Sequence, residues 1–363
     1  MVGKGADNIL ATKLPFDQFS RQKIVSYLID ESFRKTTNEK FKIIDIGGHK
    51  GKTAEFQPND AVTILDVYDE SYSNYIKGDA TKTNFPIDSF DIACSFDVLE
   101  HIPQDKRRSF IDEALKISSI GVFLAVPIDI DKKVSTAEVI LNNFHINLLG
   151  SDHKWLKEHI DYKIPNKKEI IQLAHNSGAN LVSTSSNQIG DWQLMQMLLF
   201  ASSVVPDIVG EVNNINTWYN RNTLFLDSSV DVGYREIIFL SKTKKNVESV
   251  SNAINKLRRV SGVDPLMTIN KKTFIEFSNT LSFISKKYRI LYDKYKSVDK
   301  MKADLINELY ILKEQQKDDN AHIIKLRREL ADIHNSVSWK LTKPLRYIFG
   351  IGRKSQNKKS KIT

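Results

Sequence analysis

The stretch Phe41–Phe56, FKIIDIGGHKGKTAEF, joins a short apolar run to a glycine-rich turn. Four of the six residues from 41 to 46 are apolar, which predicts a strand that is buried on both faces. Gly47, Gly48 and Gly51 permit backbone angles and close approaches that a Cβ atom would prevent. Thr53–Phe56 then opens a helix. The stretch therefore predicts a strand, loop and helix of the kind that binds a phosphate or a nucleoside.

Two ligand classes fit this loop poorly. A dinucleotide fingerprint needs glycine at its first, third and sixth positions, but counting from Gly47 places His49 and Lys52 there. A Walker loop needs four residues between its first two glycines, and only three separate Gly47 from Gly51. The loop is therefore predicted to bind neither a dinucleotide nor a nucleotide in the Walker manner.

Three acidic segments follow the loop. The second predicted strand, AVTILDVYD, ends at Asp66, about 20 residues after the loop, where a carboxylate accepts hydrogen bonds from ribose hydroxyls. Asp79 lies in the next segment, GDATKTNFP. The third segment, SFDIACSFDVLEHIP, predicts a fourth strand and a loop that carries Asp97, Glu100 and His101.

The order of these motifs resembles the class I S-adenosylmethionine (SAM) dependent methyltransferases, over roughly residues 15–242. The resemblance implies an α/β fold: a Rossmann-like, doubly wound, seven-stranded and mainly parallel sheet. It also implies that Asp66 binds the ribose of SAM and that Asp79 binds its adenine amino group, although this chain has His49 where many members have glycine. The alternative is that these aspartates only cap strand ends. The implied cofactor-binding residues are Asp45, Gly47, Gly48, Gly51, Asp66, Asp79, Ala80, Phe96 and Asp97.

Composition restricts the class of protein. The chain has 363 residues, 41% of them hydrophobic, which is enough for one large domain with an extension. Its single cysteine, Cys94, excludes a disulfide framework and a cysteine-based zinc site. No segment has the ~18 apolar residues of a membrane span, and the N-terminus lacks the apolar core of a secretory signal. These features predict a cytoplasmic protein.

The positive charge is concentrated at the C-terminus. The net charge is +9, and the last 28 residues hold eight lysines and arginines with no acid. Trp339 and Phe349 lie among these cations, so residues 338–363 predict a basic amphipathic tail that attaches to an anionic membrane surface. No nucleic-acid motif accompanies the charge, and no nucleic-acid partner is predicted.

The predicted domains are a methyltransferase domain at 1–242, a helical linker region at 243–300, a coiled coil at 301–337 and the tail. A four-three spacing predicts the coiled coil. It is formed by Leu305, Leu309, Leu312, Ile323, Leu326, Leu330, Ile333 and Val337. We expect this seam to form a homo-oligomer or to bind a glycosyltransferase partner. The alternative is a single helix packed against the domain.

Candidate catalytic residues come from the fourth-strand loop and from an insertion after the fifth strand. The insertion contains DHKWLKEH, residues 152–159, and resembles a segment of methyltransferases from bacterial surface-polysaccharide clusters. His101, His153 and His159 are the candidates for a general base, with Glu158 as an orienting group. A general base would increase the rate of methylation of a sugar hydroxyl by about 10²–10⁴-fold. Alternatively, these side chains only pack the insertion. No metal site is predicted, although a divalent metal is compatible with some relatives that act on vicinal hydroxyls.

The predicted function is SAM-dependent O-methylation of a sugar in a bacterial surface polysaccharide, such as an O-antigen, or in its precursor. The protein would be cytoplasmic or peripheral at the inner face of the plasma membrane. Two alternatives stay open: methylation of a small lipid or quinone-like metabolite, and a non-catalytic SAM-fold scaffold that organises a glycosyltransferase complex through its coiled coil. The retained set of Asp45, Gly47, Gly51, Asp66 and Asp79 argues against the scaffold.

Overall fold

A seven-stranded sheet in the order β3-β2-β1-β4-β5-β7-β6 forms the centre of the molecule. The structure is a computed structural model that describes residues 4–36, 39–49, 52–71, 74–226, 230, 232–260, 294, 296–310 and 320–336. The strands are β1 (Lys42–Ile46), β2 (Ala61–Asp66), β3 (Tyr75–Lys77), β4 (Phe90–Phe96), β5 (Ser118–Pro127), β6 (Asn180–Gln188) and β7 (Gly233–Ser241). β7 runs antiparallel to β5 and β6, and the other pairings are parallel. The predicted fold class is confirmed.

Helices cover both faces of the sheet. They are α1 (Lys4–Lys13), α2 (Phe16–Phe33), α3 (Thr53–Phe56), α4 (Arg107–Ile117), α5 (Lys133–Leu149), α6 (Lys154–Tyr162), α7 (Lys167–Asn176), α8 (Ile189–Val204), α9 (Val209–Leu226) and α10 (Lys244–Val260). Apolar residues of α4 and α7 pack against one face of the sheet, and those of α2 and α10 pack against the other. β1 and β4 are buried on both faces, as their apolar runs predict.

The packed domain extends past the predicted boundary at Lys242. Helix α10 carries Val250, Ala253, Ile254 and Leu257 on one face, each no more than 3% exposed. These side chains join the core that α2 forms with the sheet. Its other positions are polar, and this composition led the sequence analysis to place the segment in a linker. The 3.6-residue apolar spacing is the feature that places it in the domain.

The insertion after β5 forms a separate helical cluster. Residues of α5, α6, α8 and α9 bury Leu141, Leu156, Trp192 and Tyr219 against one another. Phe16, at the start of α2, also belongs to this core, and its backbone N–H donates to Asn216 Oδ1 at 2.7 Å. The cluster fixes α5 and α6 relative to the sheet.

The C-terminal region is described only in part. Residues 296–310 and Asn320–Asn335 are helical, so the helical character of the extension is confirmed. The coiled coil stays a prediction, because residues 311–319 and Val337 lie outside the described residues. The whole tail, 338–363, also lies outside them. Among the described helices, none has the length and apolar character needed to cross a membrane.

Candidate active site

The glycine loop after β1 depends on two close approaches. Gly47 has φ +82°, and its N–H donates to the carbonyl of Leu65 on β2 at 2.7 Å. A Cβ atom at Gly47 would lie 2.2 Å from Val98 Cγ2, just after β4. A Cβ at Gly48 would lie 2.4 Å from the Asp45 carboxylate. Both positions therefore require glycine. The third predicted glycine, Gly51, lies outside the described residues.

Asp45 is buried beneath this loop. Its Oδ2 lies 2.6 Å from the hydroxyl of Thr53, which also lies 3.1 Å from Gln22 Oε1. Within the described ranges of the chain, its Oδ1 has no hydrogen-bond partner. Burial raises the pKa of Asp45 to about 6. A protonated Asp45 can donate to Thr53, which then donates to Gln22, so that one chain of hydrogen bonds includes all three side chains.

The end of β2 and the loop after β3 carry the next two aspartates to the same edge of the sheet. Asp66 is buried, and its carboxylate accepts hydrogen bonds from the backbone N–H groups of His49 at 3.1 Å and Tyr68 at 3.3 Å. Asp79 is exposed and accepts hydrogen bonds from the hydroxyl and N–H of Thr81, which lower its pKa. Ala80 is half-buried against the sheet core. These residues therefore lie at the carboxyl edge of the sheet, and their contact with SAM stays a prediction.

Asp97 follows β4, and its half-buried carboxylate forms an ion cluster with the half-buried Arg21 and the buried Arg235. Its φ is +53°, and its carboxylate accepts hydrogen bonds from the guanidinium groups of Arg21 on α2 and Arg235 on β7. Burial raises the pKa of Asp97, but these two arginines have the larger combined effect and bring it down to about 2. Asn187 accepts a further hydrogen bond from Arg235 at 2.7 Å. In this structure arginines bind the Asp97 carboxylate, and its contact with the cofactor stays a prediction.

The sequence analysis did not identify these arginines. Arg235 lies in β7, shortly before the apolar run at residues 237–240, and is only 1% exposed. A charge in the middle of a buried strand indicates a buried partner, and this was the available signal. Phe96, the other residue predicted here, is 8% exposed and packs in the core with α2 and α10.

A second cluster of polar side chains lies beside this ion cluster, and we call it the His–Glu cluster. Its members are Glu100 and His101 from the turn Leu99–His101, Glu138 from α5, and Glu158 and His159 from α6. The Nε2 atoms of the two histidines lie 3.1 Å apart. His101 Nδ1 lies 2.9 Å from Glu158 Oε2, and His159 Nδ1 lies 2.8 Å from Glu138 Oε1. The Tyr234 hydroxyl donates to the same Glu138 oxygen at 2.7 Å.

Burial sets the electrostatics of this cluster. Glu100 is 0% exposed, and neither of its oxygens has a hydrogen-bond partner among the residues that the structure describes. Burial and the charge of Asp97 raise its pKa to about 8. Burial and the neighbouring His159 lower the pKa of His101 to about 3. Burial opposes the charged form of His159, but its hydrogen bond to Glu138 leaves its pKa raised. One histidine is therefore neutral, while the other favours its protonated form.

Residues 50–126 match the family described as a methyltransferase domain. The match supports a SAM-dependent methyltransferase. The matched segment runs from the glycine loop through β5 and includes Asp66, Asp79 and the turn with Glu100 and His101. A comparison with curated proteins finds no match.

Solved structures are similar to the methyltransferase at low identity. The YcgJ protein from Bacillus subtilis has 14% identity and a TM-score of 0.36, and the alignment covers 61% of this chain and 99% of that protein. Magnesium protoporphyrin IX methyltransferase from Synechocystis, with bound SAH, has 11% identity and a TM-score of 0.37. The alignment covers 62% of this chain and 85% of that protein. The assignment rests on the family match.

The structure brings together three of the four predicted catalytic residues: His101, Glu158 and His159. His153 is not in the His–Glu cluster of the methyltransferase. Its ring lies 5.0 Å from that of His145 and 5.1 Å from that of Phe200, centroid to centroid, and it precedes α6. The sequence analysis missed Glu138 as a cluster member, although an acid amid the apolar residues of α5 was a signal for it.

We expect Asp66→Ala to weaken the binding of SAM to the methyltransferase by about 1.5–3 kcal/mol, because the ribose hydroxyls lose a charged acceptor. Isothermal titration calorimetry with SAM and with its demethylated product measures this loss. Asp69→Ala is the matched control, because Asp69 is three residues away, exposed and paired with Lys77 at 3.1 Å. Equal affinity of the Asp66 variant and wild type would remove Asp66 from the cofactor site.

We expect Asp45→Asn to change how stability depends on pH. The pKa of Asp45 is raised to about 6 in the folded methyltransferase, above its ordinary value of 3.8, so its stabilising contribution is present at low pH and is lost as pH rises through 6. Between pH 5 and pH 8 this loss is about 1.4 kcal/mol. Urea unfolding at both pH values, compared between wild type and variant, measures it. An identical pH dependence in the two proteins would contradict the prediction.

Proposed function

We propose that the protein transfers the SAM methyl group to a hydroxyl oxygen of a sugar. The observation that carries this proposal is the His–Glu cluster, which lies directly after β4 and so at the same edge of the sheet as the glycine loop and Asp66. In open α/β sheets, ligands bind outside the carboxyl ends of the strands, where the strand order reverses. Here that reversal lies between β1 and β4.

The chemistry of an oxygen acceptor suits this cluster. The methyl group of SAM is already electrophilic because it is bound to a sulfonium ion, so the protein must align the acceptor and help to remove its proton. His101 and His159 supply ring nitrogens, and Glu158 lies 2.9 Å from His101, so groups that accept a proton or orient a hydroxyl are present.

The density of hydrogen-bonding groups favours a polyhydroxylated acceptor over a quinone-like or lipid acceptor. Three carboxylates and two imidazoles meet within one cluster, and such groups bind the hydroxyls of a sugar. The resemblance of the sequence to methyltransferases of surface-polysaccharide clusters supports a glycan or its precursor. We further propose that the enzyme works in the cytoplasm, at the inner face of the plasma membrane.

Methyl transfer from labelled SAM tests this function. Acceptors would be nucleotide sugars and lipid-linked oligosaccharides of surface-polysaccharide type, compared with quinols and simple lipids. We expect a methyl ether on a sugar, identified by mass spectrometry after acid hydrolysis. Label found only in a quinol or lipid would support the second enzymatic alternative. Binding of SAM without transfer to any acceptor would support the scaffold.

A further inference from the structure

The two histidines of the His–Glu cluster face each other in an arrangement that needs a cation. Each Nδ1 lies within 2.9 Å of a carboxylate, so each ring places its Nδ1 hydrogen there. When both rings are neutral, both Nε2 atoms are lone-pair acceptors, and they lie 3.1 Å apart. Two lone pairs at this distance repel each other unless a proton or a metal ion lies between them.

Glu100 adds an unsatisfied carboxylate at the same place. Its side chain is 0% exposed and neither oxygen has a hydrogen-bond partner in the described part of the chain, although such a group is costly to bury. Its Oε1 lies 4.0 Å from His159 Nε2. A buried carboxyl group without a hydrogen-bond partner either stays neutral or takes a positively charged partner.

The distances fit a single metal ion. Ligands that bind at about 2.0–2.1 Å lie about 2.9 Å apart at a right angle and about 4.2 Å apart on opposite sides of the ion. The separations of 3.1 Å between the histidines and 4.0 Å between His159 and Glu100 both fall in this range. One ligand atom from each of the three residues lies within 4.8 Å of the others.

Outer residues hold the histidines as a metal site requires. Metal-binding histidines usually donate their second N–H to a carboxylate, which fixes the tautomer and the ring orientation. Glu158 does this for His101 and Glu138 does it for His159, and Glu138 is itself held by the Tyr234 hydroxyl. The turn after β4 and the helices α5 and α6 after β5 therefore bring these side chains together.

We propose that Glu100, His101 and His159 bind a divalent transition-metal ion, which holds the acceptor hydroxyl for methyl transfer. Two imidazoles and one carboxylate favour an ion such as Zn²⁺, Fe²⁺ or Ni²⁺ over Mg²⁺ or Ca²⁺, which prefer oxygen ligands. Three protein ligands leave positions for oxygen atoms of the acceptor, for example two neighbouring hydroxyls of a sugar. The ion site itself follows from the described residues, whereas its use rests on the proposed function.

The reaction needs no oxidant or reductant. The acceptor oxygen forms a bond to the methyl carbon, the carbon–sulfur bond breaks, and its electron pair passes to sulfur to give the neutral thioether. The hydroxyl proton leaves to solvent. A bound divalent ion acts here as a Lewis acid, because it favours the deprotonated oxygen and fixes its position.

The sequence predicts no metal site, because its ligands do not form a local motif. His101 and His159 are 58 residues apart, and the segment that contains His159 lacks standard zinc-ligand spacing. The fold brings them together through the turn after β4 and through α6.

Titration of the untagged, chelator-treated full chain with Co²⁺ tests the site, followed by visible absorption and calorimetry. We expect one Co²⁺ per chain, with d–d bands of an ion bound to histidine nitrogen. Glu100→Gln and His159→Gln should weaken binding at least 10-fold, and Glu138→Gln should weaken it about 10–100-fold through the outer contact. His153→Gln is the matched control, because His153 is the nearby histidine outside the cluster, and it should bind as wild type does.

Two results would overturn the proposal: wild type that binds no Co²⁺ with this spectrum, or cluster variants that bind it as tightly as wild type. Either would leave a shared proton between the rings. Retained binding of the demethylated cofactor product shows that each variant is folded. A chain that binds Co²⁺ but methylates no sugar contradicts the proposed function alone. A chain that methylates a sugar at full rate after chelation and binds no Co²⁺ contradicts the metal site alone.

Discussion

Asp97→Asn is expected to destabilise the folded domain by about 3–5 kcal/mol, the usual cost of removing one partner of a buried ion pair. The asparagine leaves Arg235, which is 1% exposed, without its charged partner. Arg21 loses the same carboxylate. Burial of the Arg235 side chain keeps water from replacing the carboxylate, and Asn187 supplies only a neutral acceptor.

Guanidinium chloride unfolding followed by circular dichroism measures this loss. The matched control is Asp112→Asn on α4, because Asp112 forms an exposed ion pair with Arg108 at 3.4 Å. The control should unfold at nearly the wild-type midpoint, since exposed pairs contribute little. If both variants unfolded at the wild-type midpoint, Asp97 and Arg235 would have to be solvated, and the buried cluster would not stabilise the domain.

Much of the fold could be predicted because its signals are local. The apolar runs of β1 and β4 indicate strands with two buried faces, and the loop after β1 needs glycine at positions 47 and 48 for reasons that involve only neighbouring residues. The position of Asp66 also follows from the end of one strand. Helix α10 was misplaced because burial of one face is compatible with a mostly polar composition.

The candidate site was predicted only in part because its contacts are distant in sequence. His101 and His159 could each be selected as polar residues in suitable loops, but their approach to 3.1 Å depends on how α6 packs beside the turn after β4. Arg235 reaches Asp97 across 138 residues, through the antiparallel pairing that places the start of β7 beside the end of β5. No rule based on the spacing of residues in the sequence predicts these two contacts. His153 and His159 lie in the same sequence segment and were equally good candidates. Only the packing shows that His159 belongs to the His–Glu cluster and that His153 does not.

The second large effect is expected at His159. His159→Asn should lower turnover at least about 10²-fold, because the ring lies where the acceptor hydroxyl is proposed to bind, as a metal ligand or as a proton acceptor. The cofactor should still bind within about twofold of wild type, since the glycine loop and Asp66 do not contact His159 in the described structure.

Single-turnover methyl transfer at saturating SAM measures this effect, and calorimetry with the demethylated product measures cofactor binding. His153→Asn is the matched control, because its ring packs against His145 and Phe200 outside the cluster. The control should retain turnover close to wild type. Near-normal turnover in both variants would move the role to His101, which is the remaining histidine of the cluster. A loss of turnover in the His153 variant alone would place the acceptor on the other side of α6, because that ring lies against α5 and α8.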